Sequence, residues 1–261
     1  MYVHVPMEQS TRRAAGSPLQ VLHERPHPDL RRTSFPGERR AIIFDIDGTL
    51  VNSNDAHAFA WVDALKAYGV MIPFPRVRSL MGMEPEKLLP ELAGITLTSG
   101  IGRRIHHARA EFFESRYLQR VRPFPRARDL VQRTIDAGFV PAVISNSSHD
   151  HVDRLLMRAE VADLLKLRIL SESSPAGRPL SELMFFALRA LGVPASSAVA
   201  VGATPHDIAA AQRAGVSAIA LRCGGWDDHE LAGAAAVYQD PAELLSRFDD
   251  SLLSDLPFKH N

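Results

Sequence analysis

In residues 41–53, AIIFDIDGTLVNS, two carboxylates spaced D-x-D follow four apolar residues and precede a Gly48-Thr49 turn. On an extended backbone Asp45 and Asp47 start out on opposite sides. Glycine tolerates the positive φ by which the chain could curl and bring both into one pocket, with Gly48 and Thr49 lining the place where a ligand enters. Paired acids at a strand end are costly without a cation, and hard oxygens at this spacing suit Mg2+. A carboxylate is also a nucleophile toward phosphorus, and a second acid can protonate a leaving group and then activate water. The plainer alternative is an exposed Asp-Gly turn after a strand.

These acids need elements to hold them. From Arg40 onward, short apolar runs (AIIF, VPAVIS, LRIL, AVAVG, SAIAL) alternate with helical segments such as RARDLVQRTIDAG, DHVDRLLMRAE, SELMFFALRALG and HDIAAAQRAG. Strands apolar on both faces and separated by helices predict an α/β doubly wound, Rossmann-like parallel sheet. Such sheets place ligands at the carboxyl ends of their strands, where Asp45 and Asp47 fall. Residues 56–126 read as helical and are too long for a loop, which predicts an all-helical cap domain inserted after the first strand. Its hinges are expected near residues 53–55 and 122–125, so that it could close over a ligand. The core is then 40–55 and 127–248, with a mobile basic extension at 1–39 and a frayed tail at 249–261.

Composition narrows the classes. Lys plus Arg (30) equals Asp plus Glu (30) in 261 residues, so no global field favours nucleic acid or an anionic membrane, and phosphate recognition must be local. One cysteine, Cys223, excludes an intramolecular disulfide framework and a Cys-rich metal site; it reads as a buried, inert thiol. No run is long enough for a membrane span, and the N-terminus lacks the apolar segment of a signal peptide. A cytoplasmic protein with no nucleic-acid or membrane partner is expected, as a monomer or homodimer.

DIDGTLVNS resembles the first motif of the haloacid dehalogenase superfamily, whose phosphatases use Asp-x-Asp-Gly-Thr. Three further motifs of that family can be sought in order. AVISNSS supplies Ser145 and Asn146 at the end of the second core strand, where a hydroxyl and backbone N–H groups at a helix start could bind phosphoryl oxygens. Ser145 to Ser148 could equally be caps for the helix that begins near His149. AGRPLSELMFF places Arg178 where the family has Lys; the charge is kept, but a planar guanidinium is not an ammonium. A plain surface arginine is the alternative. VAVGATPHDIAAAQRAGV matches the fourth motif except that Ala203 replaces its first acid, while Asp207 keeps the second.

The resemblance, over about residues 40–248, is to the phosphoglycolate phosphatase and β-phosphoglucomutase branch with a helical cap. It implies Asp45 as nucleophile, Asp47 as acid then base, Ser145 and Arg178 on the phosphoryl oxygens, and Mg2+ held by Asp45, Asp47 and Asp207. The partner implied is a small phosphorylated metabolite. Asp55, His57 and Arg103 or Arg104 could meet its leaving group; a helix N-cap and a solvated basic face are the alternatives. The loss of an acid at Ala203 should weaken metal binding. The leading expectation is a magnesium-dependent phosphatase of a small phosphate monoester, and the alternative from another class is a binding or regulatory protein that has lost efficient turnover. A phosphomutase and a 2-haloacid dehalogenase rank below these; the latter branch usually has an aromatic residue where this chain keeps Asp47.

Overall fold

The computed structural model describes residues 39–170 and 179–254. Residues 1–38 of the expected extension, Arg178, and residues 255–261 of the expected tail lie outside the described residues.

In chain order the strands are β1 (Arg40–Phe44), β2 (Val51–Asn52), β3 (Arg122–Pro123), β4 (Phe139–Ser145), β5 (Leu167–Leu170), β6 (Ala198–Gly202), β7 (Ser217–Leu221) and β8 (Ala236–Tyr238). Six of them form one sheet in the order β5-β4-β1-β6-β7-β8, and every pair in it is parallel. β1 sits in the middle and is buried on both faces because its side chains alternate between two cores. Ala41 and Ile43 enter one apolar cluster, while Ile42 and Phe44 enter the other. Full burial of a side chain such as Phe44 contributes about 1.5–3 kcal/mol, so the register of this strand is strongly specified.

The helices are α1 (Asn54–Ala67), α2 (Phe74–Arg78), α3 (Pro85–Ala93), α4 (Gly100–Phe112), α5 (Ala127–Asp136), α6 (His149–Arg158), α7 (Leu180–Leu191), α8 (Pro205–Arg213) and α9 (Pro241–Ser246). α5, α6 and α9 pack on the Phe44 face through Leu130, Leu155 and Leu244; α7 and α8 pack on the Ile43 face through Leu183 and Ile208. This is the doubly wound core that the alternating runs predict. β8 is the strand they do not reveal: three residues carry too little periodicity.

Helices α1 to α4 form the insert. They have an apolar core of their own, with Trp61, Leu65, Val77, Leu88, Leu89 and Ile105. α4 runs on into a π-helical turn, Phe113–Tyr117, and a 3-10 turn, Leu118–Arg120. Where the insert leaves and rejoins the core, β2 and β3 pair antiparallel, Val51 with Pro123 and Asn52 with Arg122, so both connections are held side by side. Among the described residues no helix is long and apolar enough to cross a membrane.

Candidate active site

The sheet register brings the candidate residues together. Phe44 pairs with Val143 on one side and Val201 on the other, so Asp45, Ser145 and the Gly202-Ala203 turn leave the sheet within about one residue of each other. Neighbouring strands lie roughly 4.8 Å apart, and the three chain ends therefore bound one crevice. Asp45 remains tied to the sheet by its N–H, which donates to the Val201 carbonyl at 2.9 Å.

The turn after Asp45 is built around Gly48, at φ +80°. A Cβ there would stand 2.3 Å from Asn54 Nδ2, so both conformation and space require glycine. The Thr49 hydroxyl donates to Asp45 Oδ2 at 2.8 Å. Asp47 is held from α1: the Ser53 hydroxyl donates to its Oδ1, and His57 Nε2 lies 2.9 Å from the same oxygen. Ser53 occupies the N-cap position of α1 but makes no capping bond, because its hydroxyl goes to Asp47 instead.

The two acids are driven in opposite directions. Burial, then the charges of Asp207 and Asp47, push the Asp45 carboxyl well above its ordinary value, and bonds from Thr49 and the Ile46 N–H do not offset this. Burial also opposes charge on Asp47, but His57, His151 and the Ser53 hydroxyl together outweigh it and hold that carboxyl well below the carboxylate range. Asp207 is raised by burial despite accepting at Oδ2 from Ala203 N (3.1 Å), Thr204 N (2.9 Å) and Thr204 Oγ1 (2.8 Å). Ala203 is fully buried. A small cleft lined by Asp45, Gly202, Asp207, Leu180 and Met184 opens beside these acids.

At the end of β4, Ser145 Oγ accepts from the Ser147 N–H at 3.1 Å, and Asn146 Oδ1 is buried without a partner among the described residues. Ser148 takes the N-cap position of α6, with no capping bond from its side chain. Cys223 donates to the Gly48 carbonyl at 3.3 Å; burial, with the nearby Asp240 charge, pushes its thiol up to about 12, which fits an inert role.

The insert supplies side chains that the motifs do not name. Asp55 pairs with Arg78 at 2.7 Å on the exposed rim, and Arg78 also donates to the Gly224 carbonyl at 2.7 Å, tying insert to core. Arg103 bonds the Thr98 carbonyl and Arg104 lies 6.0 Å from the Tyr68 ring; both are exposed. The arginine that senses the acids is Arg109. Its guanidinium lies 5.5 Å from the Trp61 ring, its Nε is buried without a hydrogen-bond partner, and burial lowers its pKa against the pull of Asp47 and Glu114. On α6, His151 lies 3.3 Å from Glu114 through Nδ1; burial and the neighbouring His57 charge bring its pKa to about 4. Among the described residues, Asp47, His57 and His151 bring possible metal-ligand atoms within 4.8 Å of one another.

A family model described as haloacid dehalogenase-like hydrolase matches residues 42–221, which includes both acids, Ser145 and Asp207. The chain belongs to the haloacid dehalogenase-like hydrolases. Among its relatives in that family is a phosphoglycolate phosphatase of Pseudomonas savastanoi pv. phaseolicola, 30% identical over 190 residues that cover 71% of this chain and 70% of the relative. An N-acetylmuramic acid 6-phosphate phosphatase of Pseudomonas aeruginosa is 24% identical over 222 residues, covering 82% and 96%. The crystal structure of a hydrolase from Pseudomonas syringae superposes with a TM-score of 0.74 at 26% identity, covering 81% of this chain and 99% of its own.

Proposed function

We propose that this haloacid dehalogenase-like hydrolase is a Mg2+-dependent phosphatase of small phosphate monoesters that forms an aspartyl-phosphate on Asp45. The observation that carries this reading is the meeting of Asp45, Asp47 and Asp207 at the carboxyl end of β1, where burial and the charges of the other two push the Asp45 carboxyl up. Without a cation Asp45 is raised and Asp47 lowered, the reverse of what a nucleophile and a general acid need, so the reading requires an ion beside Asp45. The crowding of Asp45, Asp47 and Asp207 fits a cation site, although one acid short at Ala203. The Asp45 carboxylate, the Asp47 main-chain carbonyl and Asp207 would hold the ion, with water completing its shell. Bound there, Mg2+ would offset the crowded negative charge and favour the ionised, nucleophilic form of Asp45.

The residues of the chain then divide the work. Thr49 occupies Asp45 Oδ2, leaving Oδ1 to attack phosphorus as the P–O bond to the leaving alcohol breaks. Asp47, oriented at Oδ1 by the Ser53 hydroxyl and His57 Nε2, gives a proton to the departing oxygen as that bond breaks. Asp47 then takes a proton from water, whose oxygen attacks the aspartyl-phosphate, releases inorganic phosphate and restores Asp45. Ser145, Asn146, Arg178 and the backbone at Gly48 and Thr49 hold the phosphoryl oxygens. The helical insert acts as the cap, residues 56–126 closing on the core. His57 orients Asp47, and Asp55 positions Arg78 at the rim. Arg109, whose buried Nε has no hydrogen-bond partner among the described residues, favours a leaving group that carries a second negative charge. Relatives named for phosphoglycolate and N-acetylmuramic acid 6-phosphate fit that preference, since each compound joins a carboxylate to a phosphate ester.

The test is phosphate release from a panel of phosphomonoesters across a Mg2+ titration. Release by the native chain and none by Asp45→Asn supports the reading; release that Asp45→Asn does not affect would sink it. The missing acid at Ala203 favours one other reading, a protein that binds phosphorylated ligands without turnover. Saturable ligand binding with no phosphate release at any Mg2+ concentration would replace the first reading with the second.

A further inference from the structure

Three ligand-type side chains from three separate segments meet at Asp47. One carboxylate oxygen of Asp47, one ring nitrogen of His57 and one of His151 all lie within 4.8 Å of each other. His57 comes from α1 of the insert, His151 from α6 of the core, and Asp47 from the turn after β1. His57 Nδ1 and His151 Nε2 are buried with no hydrogen-bond partner among the described residues. A buried polar atom left without a partner costs about 1–3 kcal/mol, so two of them on the rings of one cluster point to a ligand.

The surroundings orient these imidazoles. His151 Nδ1 faces Glu114 Oε1 at 3.3 Å, and Arg154 anchors the other Glu114 oxygen. A carboxylate on one ring nitrogen fixes the tautomer and leaves a lone pair on the other, the arrangement that stands behind metal-bound histidines. Phe113 packs against both rings, stacked on His57 at 4.1 Å and tilted toward His151 at 4.9 Å. Two imidazoles and one carboxylate form a borderline donor set, suited to Zn2+ and other late first-row ions rather than to Mg2+, which takes oxygen. Tetrahedral ligands at about 2.0–2.1 Å lie roughly 3.3–3.5 Å apart, so a spread of 4.8 Å closes with small side-chain movements.

We infer that Asp47, His57 and His151 form a site for Zn2+ or a similar late transition ion, distinct from the oxygen ligands around Asp45. Glu114 serves it through His151. An ion there withdraws the Asp47 carboxylate from proton transfer and inhibits the enzyme. The binding stands independently of the phosphatase reading; the inhibition rests on it.

The experiment uses the full chain, stripped with a chelator, in excess Mg2+. Co2+ is followed by visible absorption and Zn2+ by calorimetry. One equivalent of Co2+ should give the intense bands of a low-coordinate ion with nitrogen ligands, bleached by one equivalent of Zn2+. His151→Gln and His57→Gln should each weaken Zn2+ binding at least tenfold, Glu114→Gln about tenfold, and the exposed His229→Gln not at all. The absence of those bands in the native chain, which depends on no variant, overturns the site. So does stoichiometric Zn2+ binding that survives in the His57→Gln/His151→Gln double variant. In the phosphate-release assay, inhibition by one equivalent of Zn2+ that a chelator reverses supports the functional half. Zn2+ binding in a chain that never releases phosphate leaves the site standing and sinks the phosphatase reading.

Discussion

Gly224 presses directly on Ala203: a Cβ added to Gly224 would lie 2.6 Å from the Ala203 Cβ and 2.4 Å from the Ala203 carbonyl oxygen. The Gly224 carbonyl in turn accepts from Asn54 Nδ2 at 2.9 Å and Arg78 Nη2 at 2.7 Å. The position at which the family's first metal acid would stand is therefore covered by a core loop tied to the insert through α1 and α2. An acid there would have no water and would join a cluster already crowded by Asp45 and Asp207.

Ala203→Asp should accordingly destabilise the metal-free chain by about 3 kcal/mol or more, since an uncompensated buried charge is among the costliest substitutions. At about 2–4 °C per kcal/mol, Tm should fall by roughly 6–12 °C in chelator, and Mg2+ should restore much of it. Thermal unfolding with and without Mg2+ checks this. An unchanged Tm that ignores Mg2+ would mean that the loop yields freely and that position 203 faces no cation.

Asp45→Asn should stabilise the metal-free protein at neutral pH. The folded pKa of Asp45 is raised, so the folded state binds its proton more tightly than the unfolded state does. Stability therefore falls as pH rises from the unfolded value, about 3.9, through the raised folded one. Asparagine keeps an acceptor for the Thr49 hydroxyl and removes the repulsion. The Tm gain of the variant, a few degrees near pH 7, should shrink toward zero below about pH 4. Unfolding curves across pH in chelator read the difference, and a variant less stable than the native chain at pH 7 would contradict the crowding of the three acids.

Much of this site is written in the sequence because its parts sit at strand ends. The apolar runs locate β1, β4, β5, β6 and β7, and parallel pairing then brings Asp45, Ser145 and Asp207 to one edge. The residues that escape sequence reading flank the buried stripes of helices. On α4 that stripe is Gly102, Ile105 and Ala108, and Arg109, four residues after Ile105, flanks it, whereas Arg103 and Arg104 point to solvent. On α6 His151 stands four residues before the buried Leu155. Which charged side chains share a face with apolar ones is a signal in the spacing. That Ser53 would leave its cap for Asp47, or that two residues at each hinge would pair as β2 and β3, depends on long-range contacts with no local signature.

The insert touches the core through Gly82, at φ +93°, where a Cβ would lie 2.7 Å from Thr204 Cγ2, the side chain that caps α8 and bonds Asp207. Gly82→Ala should hold the insert off the core. We expect kcat/KM to fall at least tenfold, with a stability loss of about 1–2 kcal/mol from the left-handed backbone alone. Gly94→Ala is the matched control: its φ is +66°, but nothing lies within 4 Å. It should show a similar stability loss with activity unchanged. Equal activity in both variants would show that the approach of Gly82 to Thr204 is irrelevant to turnover.

Arg109 has no ion pair among the described residues; its guanidinium lies over the Trp61 ring and its Nε is buried without a hydrogen-bond partner. A buried cation without a partner is a liability in the empty protein, so Arg109→Leu should leave Tm unchanged or raise it. A charged hydrogen bond to a carboxylate on the leaving group is worth about 1.5–3 kcal/mol. The variant should therefore lose roughly 10–100-fold in kcat/KM toward phosphate esters of hydroxy acids, mostly through KM, and much less toward esters of neutral alcohols. Steady-state kinetics on one ester of each kind decides it. An equal loss on both would assign Arg109 to the phosphoryl group, and no loss on either would return it to a structural role beside Trp61.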